Sequence, residues 1–167
     1  MDHKESLQDQ IKSIIELFSS GQPQDALIDI ETLINDFPNE SLLFNISGVF
    51  YRQIGQIDEA IKRFEKAIDI NPDYPEAHNN LGVALQNLDL MDLAITSYEK
   101  AIASNPDYAE AHNNLGNTLR ELGQLETAIK SYEKVIAINP NHATAHNNLG
   151  NTLRELGQLE TAIKSYE

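Results

Sequence analysis

Apolar residues recur along the chain at spacings of three and four positions, which is the period of an amphipathic helix. One segment has them at Leu115, Leu119 and Leu122, and the next at Ala128, Ile129, Tyr132, Val135 and Ile136. Gly123 separates the two segments, at a position where a helix commonly ends in the left-handed conformation that glycine adopts without steric cost. Pro140 ends the second segment, because the residue before a proline is pushed out of the α region. The pattern predicts two short helices joined by a tight turn.

This helix pair recurs with a period of 34 residues. The stretch 111–133 is repeated without change as 145–167. A repeat of this length indicates an array in which each helix pair buries its apolar face against its neighbours. We therefore predict ten helices in five antiparallel pairs. The period is carried by three columns: Pro38, Pro72, Pro106 and Pro140; Gly48, Gly82, Gly116 and Gly150; and Ala26, Ala60, Ala94, Ala128 and Ala162.

Small and aromatic columns predict how the helices pack. The glycine and alanine columns allow two helix backbones to approach closely, and an aromatic column fills the space between neighbours. That aromatic column is Phe64, Tyr98, Tyr132 and Tyr166. A second glycine column, in the turns, is interrupted by Asp89. We predict a left-handed backbone at Asp89, because aspartate tolerates this conformation better than most residues.

The combined columns resemble the tetratricopeptide repeat, whose pattern contains a Leu-Gly pair, a later alanine, an aromatic residue four positions on, and a proline. The Leu-Gly pairs here are Leu81-Gly82, Leu115-Gly116 and Leu149-Gly150. The resemblance implies an all-α, right-handed superhelical solenoid of antiparallel helix pairs, with a concave groove lined by the first helix of each pair. We expect residues 1–167 to form a single array of about five repeats. Their bounds are about 7–40 (a degenerate N-terminal cap), 41–74, 75–108, 109–142 and a truncated 143–167.

Asparagine is unusually frequent on the predicted first helices, although it costs roughly half a kcal/mol against alanine at each helical site. The motif Ala-His-Asn-Asn-Leu-Gly-Asn resembles the superhelical repeats of the O-linked N-acetylglucosamine transferases and related bacterial proteins. That resemblance implies that Asn80, Asn114 and Asn148 hold the backbone of an extended peptide, since a carboxamide both donates and accepts hydrogen bonds. Solvated asparagines in an unoccupied groove are the alternative. The candidate peptide-binding residues are Asn79, Asn80, Asn113, Asn114, Asn117, Asn147, Asn148, Asn151, Arg120 and Arg154.

The candidate site has two consequences for binding and for stability. Arg120 and Arg154 could form a bidentate contact with an acidic partner, or a solvated ion pair of little energetic value. Replacing Asn80 and Asn114 with alanine should weaken peptide binding without lowering thermal stability, because poor helix formers are removed.

Charge and composition narrow the classes of partner and site. The chain has 12 Lys and Arg against 26 Asp and Glu, a formal charge of −14, which disfavours nucleic acid and anionic membranes as partners. Without cysteine there is no disulfide framework and no zinc-thiolate site. No apolar run approaches the ~18 residues of a membrane span, and no export signal is visible, so we expect a cytoplasmic protein.

Neither a metal site nor an active site is predicted. The histidine column, His78, His112 and His146, places its rings one repeat apart, whereas packed helices lie roughly 8–10 Å from each other. Imidazoles on one metal ion need bonds near ~2.1 Å, so we expect half-buried packing groups instead. The sequence offers no set of nucleophile, base and orienting group, so we predict neither an enzyme nor a cofactor.

The functional prediction is a protein–protein interaction module that binds extended peptide or protein segments in its concave groove. It would act as an adaptor or as the substrate-recruiting arm of a larger protein. One alternative is an acidic chaperone for secreted proteins. Another is a structural array that associates end to end through its uncapped C-terminal repeat.

Overall fold

A computed structural model describes residues 6–158, and within them the chain is entirely helical apart from its turns. The first helices of the pairs begin at residues 7, 41, 75, 109 and 143, and the second helices at 23, 57, 91 and 125. Both series advance by the sequence period, which confirms the all-α class and the helix-pair repeat; the tenth predicted helix lies outside the described residues. The helices are α1 (Leu7–Ser19), α2 (Pro23–Asp36), α3 (Ser41–Gln53), α4 (Ile57–Ile70), α5 (Pro75–Gln86), α6 (Met91–Ser104), α7 (Ala109–Glu121), α8 (Leu125–Ile138) and α9 (Ala143–Glu155).

The turns inside the helix pairs share one backbone geometry. The amide of Gln124 donates to the carbonyl of Leu119 at 2.9 Å, closing the end of α7 beyond its last turn. This closure requires one residue with positive φ, and Gly123 supplies it at 74°. Asp89 occupies the same position after α5 with φ of 58°, which confirms the prediction of a left-handed aspartate there.

The chain divides into two compact units, and the N-terminal unit is Met1–Asn80. Its core is aliphatic and aromatic, and the rings of Phe18 and Phe50 stack with centroids 4.0 Å apart. Phe64 is fully buried, and a Cβ atom added at Gly48 would lie 2.5 Å from its ring. The other buried side chains of this core include Ile11, Ile14, Ile30, Leu33, Leu43 and Phe44.

The C-terminal unit, Leu81–Glu167, repeats this arrangement with tyrosines. A Cβ atom at Gly82 would lie 2.5 Å from the Tyr98 ring, and one at Gly116 would lie 2.6 Å from the Tyr132 ring. Real Cβ contacts are never this short, so each glycine is required by the aromatic ring that packs on it. At Gly48, Gly82 and Gly116 the aromatic ring thus lies directly on the glycine, a contact that the sequence columns did not specify.

The length and polarity of a helix decide whether it can cross a membrane. No helix within residues 6–158 is both long enough and apolar enough to cross a bilayer.

Candidate peptide-binding surface

Two asparagines and a tyrosine are bonded together in the N-terminal unit. Asn80 Nδ2 on α5 donates to Asn45 Oδ1 on α3 at 2.9 Å, and Asn45 Nδ2 donates to the Tyr74 hydroxyl at 3.3 Å. Asn45 is buried, with 8% of its surface exposed. Burial raises the pKa of Tyr74, and the Glu76 carboxylate adds to the effect, so the phenol stays protonated. The first helices of successive repeats are therefore linked through their asparagine side chains.

A larger asparagine network lies in the C-terminal unit. Asn148 Nδ2 on α9 donates to two oxygens on α7, at 3.0 Å to Asn117 Oδ1 and at 3.4 Å to Asn113 Oδ1. Asn117 Oδ1 also accepts a bond of 2.9 Å from the Tyr132 hydroxyl on α8. An amide oxygen has two lone pairs, and both lone pairs of Asn117 are used. The network connects the surface of the first helices to the centre of the unit.

Tyr132 anchors this network from inside. Its side chain is fully buried. Burial raises the pKa of Tyr132 to about 12, because the phenolate would be poorly solvated, while the Arg120 guanidinium acts in the opposite direction. At neutral pH the hydroxyl is therefore a proton donor, and it orients the Asn117 carboxamide with its oxygen inward.

The network determines which amide groups remain for a ligand. The Asn148 amide nitrogen makes both of these bonds to α7, and the side chain also carries an acceptor oxygen. Asn113 and Asn117 use their oxygens within the network and retain amide nitrogens that can donate. Half-buried acceptors on α9 thus lie beside half-buried donors on α7. We call the six asparagines of these two helices the amide surface: Asn113, Asn114, Asn117, Asn147, Asn148 and Asn151.

The remaining candidate residues differ in accessibility. Asn147 and Arg154 are exposed, and Asn80, Asn114 and Asn151 are half-buried. Asn79 is 1% exposed, so its side chain cannot meet a ligand and it is removed from the candidate surface. The sequence placed Asn79 in the candidate set beside Asn80, because the burial of each helical residue is known only once the neighbouring helices are in place.

An inter-repeat ion pair lies beside the amide surface. Arg120 Nε on α7 is 3.7 Å from Glu155 Oε1 on α9, and both side chains are partly exposed. At the same repeat positions one period earlier, Gln86 Nε2 donates to Glu121 Oε2 at 3.2 Å. Arg120 therefore forms the solvated ion pair that was one of its two predicted roles.

The histidine column has a structural role. Each ring donates from Nε2 to the carbonyl of the proline six residues earlier, since a carbonyl can only accept: Pro72, Pro106 and Pro140 at 2.9, 3.0 and 2.9 Å. His78 is buried, and His112 and His146 are half-buried. The burial agrees with the prediction that these rings are packing groups. Among the residues described, no three His, Asp or Glu side chains are grouped so as to hold a metal ion.

Sequence reasoning missed the hydrogen bonds between asparagines. Asn80 bonds to Asn45, and Asn148 to Asn113, and both pairs are separated by one period plus one residue. That offset is a signal present in the sequence. The bond from Asn80 also reverses the expected effect of its replacement on stability, because alanine would leave the buried oxygen of Asn45 without this donor.

Comparisons with known proteins agree with this architecture. A family model described as "TPR repeat" matches residues 48–89 and 116–153, and three models described as "Tetratricopeptide repeat" match residues 75–108, 97–130 and 143–167. Together these matches cover residues 48–167 without a gap. A comparison with curated protein sequences gives no significant match.

Solved structures give the same result. The crystal structure of MamA is similar with a TM-score of 0.83 and 28% identity, over 90% of this chain and 88% of that one. The first TPR domain of Spaghetti (RPAP3), bound to the HSP90 peptide SRMEEVD, has a TM-score of 0.69 and 30% identity, over 71% of this chain and 94% of that one. YrrB, a TPR protein with an unusual peptide-binding site, has a TM-score of 0.74 and 24% identity, over 98% of this chain and 84% of that one. At this identity the similarity supports the fold and not a shared function.

Proposed function

The chain belongs to the tetratricopeptide repeat family and is a protein-interaction module, and on that premise we propose that its amide surface binds an extended segment of a partner protein. The module would serve as an adaptor or as the recruiting arm of a larger protein. The observation that carries the proposal is the asparagine network of α7 and α9, which holds amide donors and acceptors side by side on the first helices.

The network supports recognition of a peptide backbone rather than of side chains. An extended backbone presents N–H and C=O groups in alternation, and each needs a partner of the opposite kind. The remaining donors of Asn113 and Asn117 and the remaining acceptor of Asn148 supply both kinds. Because internal hydrogen bonds already orient these carboxamides, little conformational entropy is lost when a ligand binds.

Charge indicates which segments would be accepted. The HSP90 peptide bound by the RPAP3 domain, SRMEEVD, has more acidic than basic residues. The present chain has a formal net charge of −14, so it would repel an acidic peptide such as this one. We infer that the bound segment is neutral or basic.

Backbone methylation tests the proposal directly. The probe is a synthetic peptide of alanine, serine and lysine, about 12 residues long so that its extended form spans both helices. The comparison peptide has the same side chains but methylated nitrogens at alternate residues, which removes backbone donors. We expect the first peptide to shift the side-chain amide NMR signals of Asn113 and Asn148, and the methylated peptide to leave them unchanged.

Variants of the protein complete the test. Asn113→Ala with Asn148→Ala should weaken binding of the unmethylated peptide by roughly tenfold, since about two hydrogen bonds are lost. Asn141→Ala, an exposed asparagine in the loop before α9, is the matched control and should bind like the wild type. Equal binding of both peptides, or equal binding by the double variant, would refute backbone recognition by the amide surface.

A further inference from the structure

The turn between α5 and α6 carries different side chains from the other turns inside helix pairs. Asp89 takes the place of the glycine found in the other turns, and Leu90 takes the place of their glutamine. Leu93 replaces an acidic residue or threonine, and Thr96 stands where three other repeats have lysine. The glutamines are Gln22, Gln56, Gln124 and Gln158, the lysines Lys62, Lys130 and Lys164, and the residues aligned with Leu93 are Asp25, Glu59, Thr127 and Thr161. We call residues 88–96 the leucine turn.

These differences do not change the backbone of the turn. The amide of Leu90 donates to the carbonyl of Leu85 at 3.1 Å, as Gln124 does to Leu119 at 2.9 Å. Asp89 keeps the left-handed conformation of the glycine it replaces, although this conformation is less favourable for a residue with a side chain. The substitutions therefore alter what the turn presents to solvent, and they do so at a local conformational cost.

What the turn presents is apolar. Leu88, Leu90 and Leu93 are 40, 43 and 54% exposed. Leu90 is the N-cap residue of α6 and Leu93 the third residue of that helix, two positions whose side chains lie beside each other at a helix start. Repeats with glutamine and threonine there form the same turn, so packing of the repeat does not require these leucines. Exposed apolar patches of this kind mark interaction sites.

The surroundings of the patch are acidic. Asp89 and Asp92 are both exposed and lie within the leucine turn itself. Residues 81–99 contain three acidic residues and no lysine or arginine, whereas the matching stretch 115–133 contains three acidic residues, one arginine and one lysine. The leucine turn thus combines exposed leucines with acidic residues that no lysine or arginine of residues 81–99 offsets.

We propose that the leucine turn is a second docking site, independent of the amide surface, for a basic amphipathic segment of a partner protein. Apolar side chains of that segment cover Leu90 and Leu93, and its lysines or arginines lie against Asp89 and Asp92. A second copy of this chain is a poor occupant, because both copies carry −14.

The neighbouring turn supplies the substitutions for a test. Leu90→Gln with Leu93→Thr gives the leucine turn the residues of the α7–α8 turn, so the variant should fold with unchanged helicity and melting temperature. Leu122→Gln, at the exposed leucine of the α7–α8 turn, is the matched control. The probe is a synthetic helix of leucine and lysine, about 14 residues long or roughly four turns, and the comparison peptide has glutamate in place of lysine.

We expect the full chain to bind the leucine–lysine helix at physiological ionic strength, with NMR shifts at residues 88–96. Leu90→Gln/Leu93→Thr should weaken this binding by roughly tenfold. Leu122→Gln should leave it unchanged, and the leucine–glutamate helix should not bind. Equal binding by the double variant, or shifts at the amide surface in place of residues 88–96, would overturn the proposal. So would self-association in sedimentation experiments that the double variant abolishes, because the occupant would then be a second copy.

Discussion

The α3–α4 pair of the N-terminal unit and the α7–α8 pair of the C-terminal unit each bury an aromatic ring between their helices, but the two rings differ in chemistry. Phe64 in the first pair and Tyr132 in the second occupy one column, are fully buried, and lie against a glycine. Fifteen residues before the aromatic residue, the first pair has Val49 and the second Asn117. Asn117 Oδ1 accepts a hydrogen bond from the Tyr132 hydroxyl at 2.9 Å.

The difference is one buried hydroxyl and the amide that satisfies it. A phenylalanine ring needs no partner, so valine is sufficient beside it, whereas a buried hydroxyl without an acceptor is costly. Asn117 therefore contributes to the interior of the unit while its nitrogen belongs to the amide surface. An asparagine on a first helix is thus not by itself evidence of a ligand, since part of its hydrogen bonding serves the fold.

The largest effect should come from removing the amide that pairs with the tyrosine. We expect Asn117→Val to lower the free energy of unfolding by about 2 kcal/mol. The reason is that the Tyr132 hydroxyl loses its acceptor and the Asn148 amide loses one of its two acceptors on α7. Urea denaturation followed by circular dichroism measures this value.

A double variant isolates the cause. Asn117→Val with Tyr132→Phe recreates the residue pair of Val49 and Phe64, so it should recover most of the stability lost in the single variant. If the two substitutions simply add, the hydroxyl–amide bond is not what stabilises the C-terminal unit.

A smaller effect is expected for the asparagine pair of the N-terminal unit. Asn80→Ala removes the donor to the buried oxygen of Asn45 and gains helix propensity, a net loss of about 1 kcal/mol. Thermal unfolding is a suitable measurement, with Asn141→Ala as an exposed reference. An unchanged or raised melting temperature would mean that the Asn80–Asn45 bond contributes nothing to folding.

The smallest effect concerns the ion pair beside the amide surface. Glu155→Gln should cost no more than about 0.5 kcal/mol, since Arg120 and Glu155 are partly exposed and 3.7 Å apart. The difference from wild type should shrink further in high salt, which screens exposed charges. A loss of stability that persists at high salt would show that this glutamate acts through packing or a network.

Local sequence was sufficient to predict the helices, their turns and the left-handed Asp89. These features depend on residues within a few positions of each other, on the 34-residue period, and on the conformations that glycine, proline and aspartate allow. The glycine and aromatic columns were visible in the sequence, because the second to fifth repeats carry both at constant spacing, but only the structure established that ring and glycine are in direct contact.

The candidate site was predicted less completely. The asparagines were identified, but Asn79 proved buried and Asn117 proved bonded to Tyr132. Burial and hydrogen-bond partners depend on side chains of other helices, and two adjacent asparagines on one helix look equivalent until those helices are in place.

Sequence by itself determined that this protein is an acidic array of 34-residue helix pairs, with amide-rich first helices and one turn that departs from the others. Only the tertiary structure decided which carboxamides are used internally and which can serve a ligand, and that the leucines of the unusual turn are exposed. The physical reason is that a hydrogen bond or a buried surface requires two groups in contact. The period specifies each group, whereas the packing of the helices brings them together.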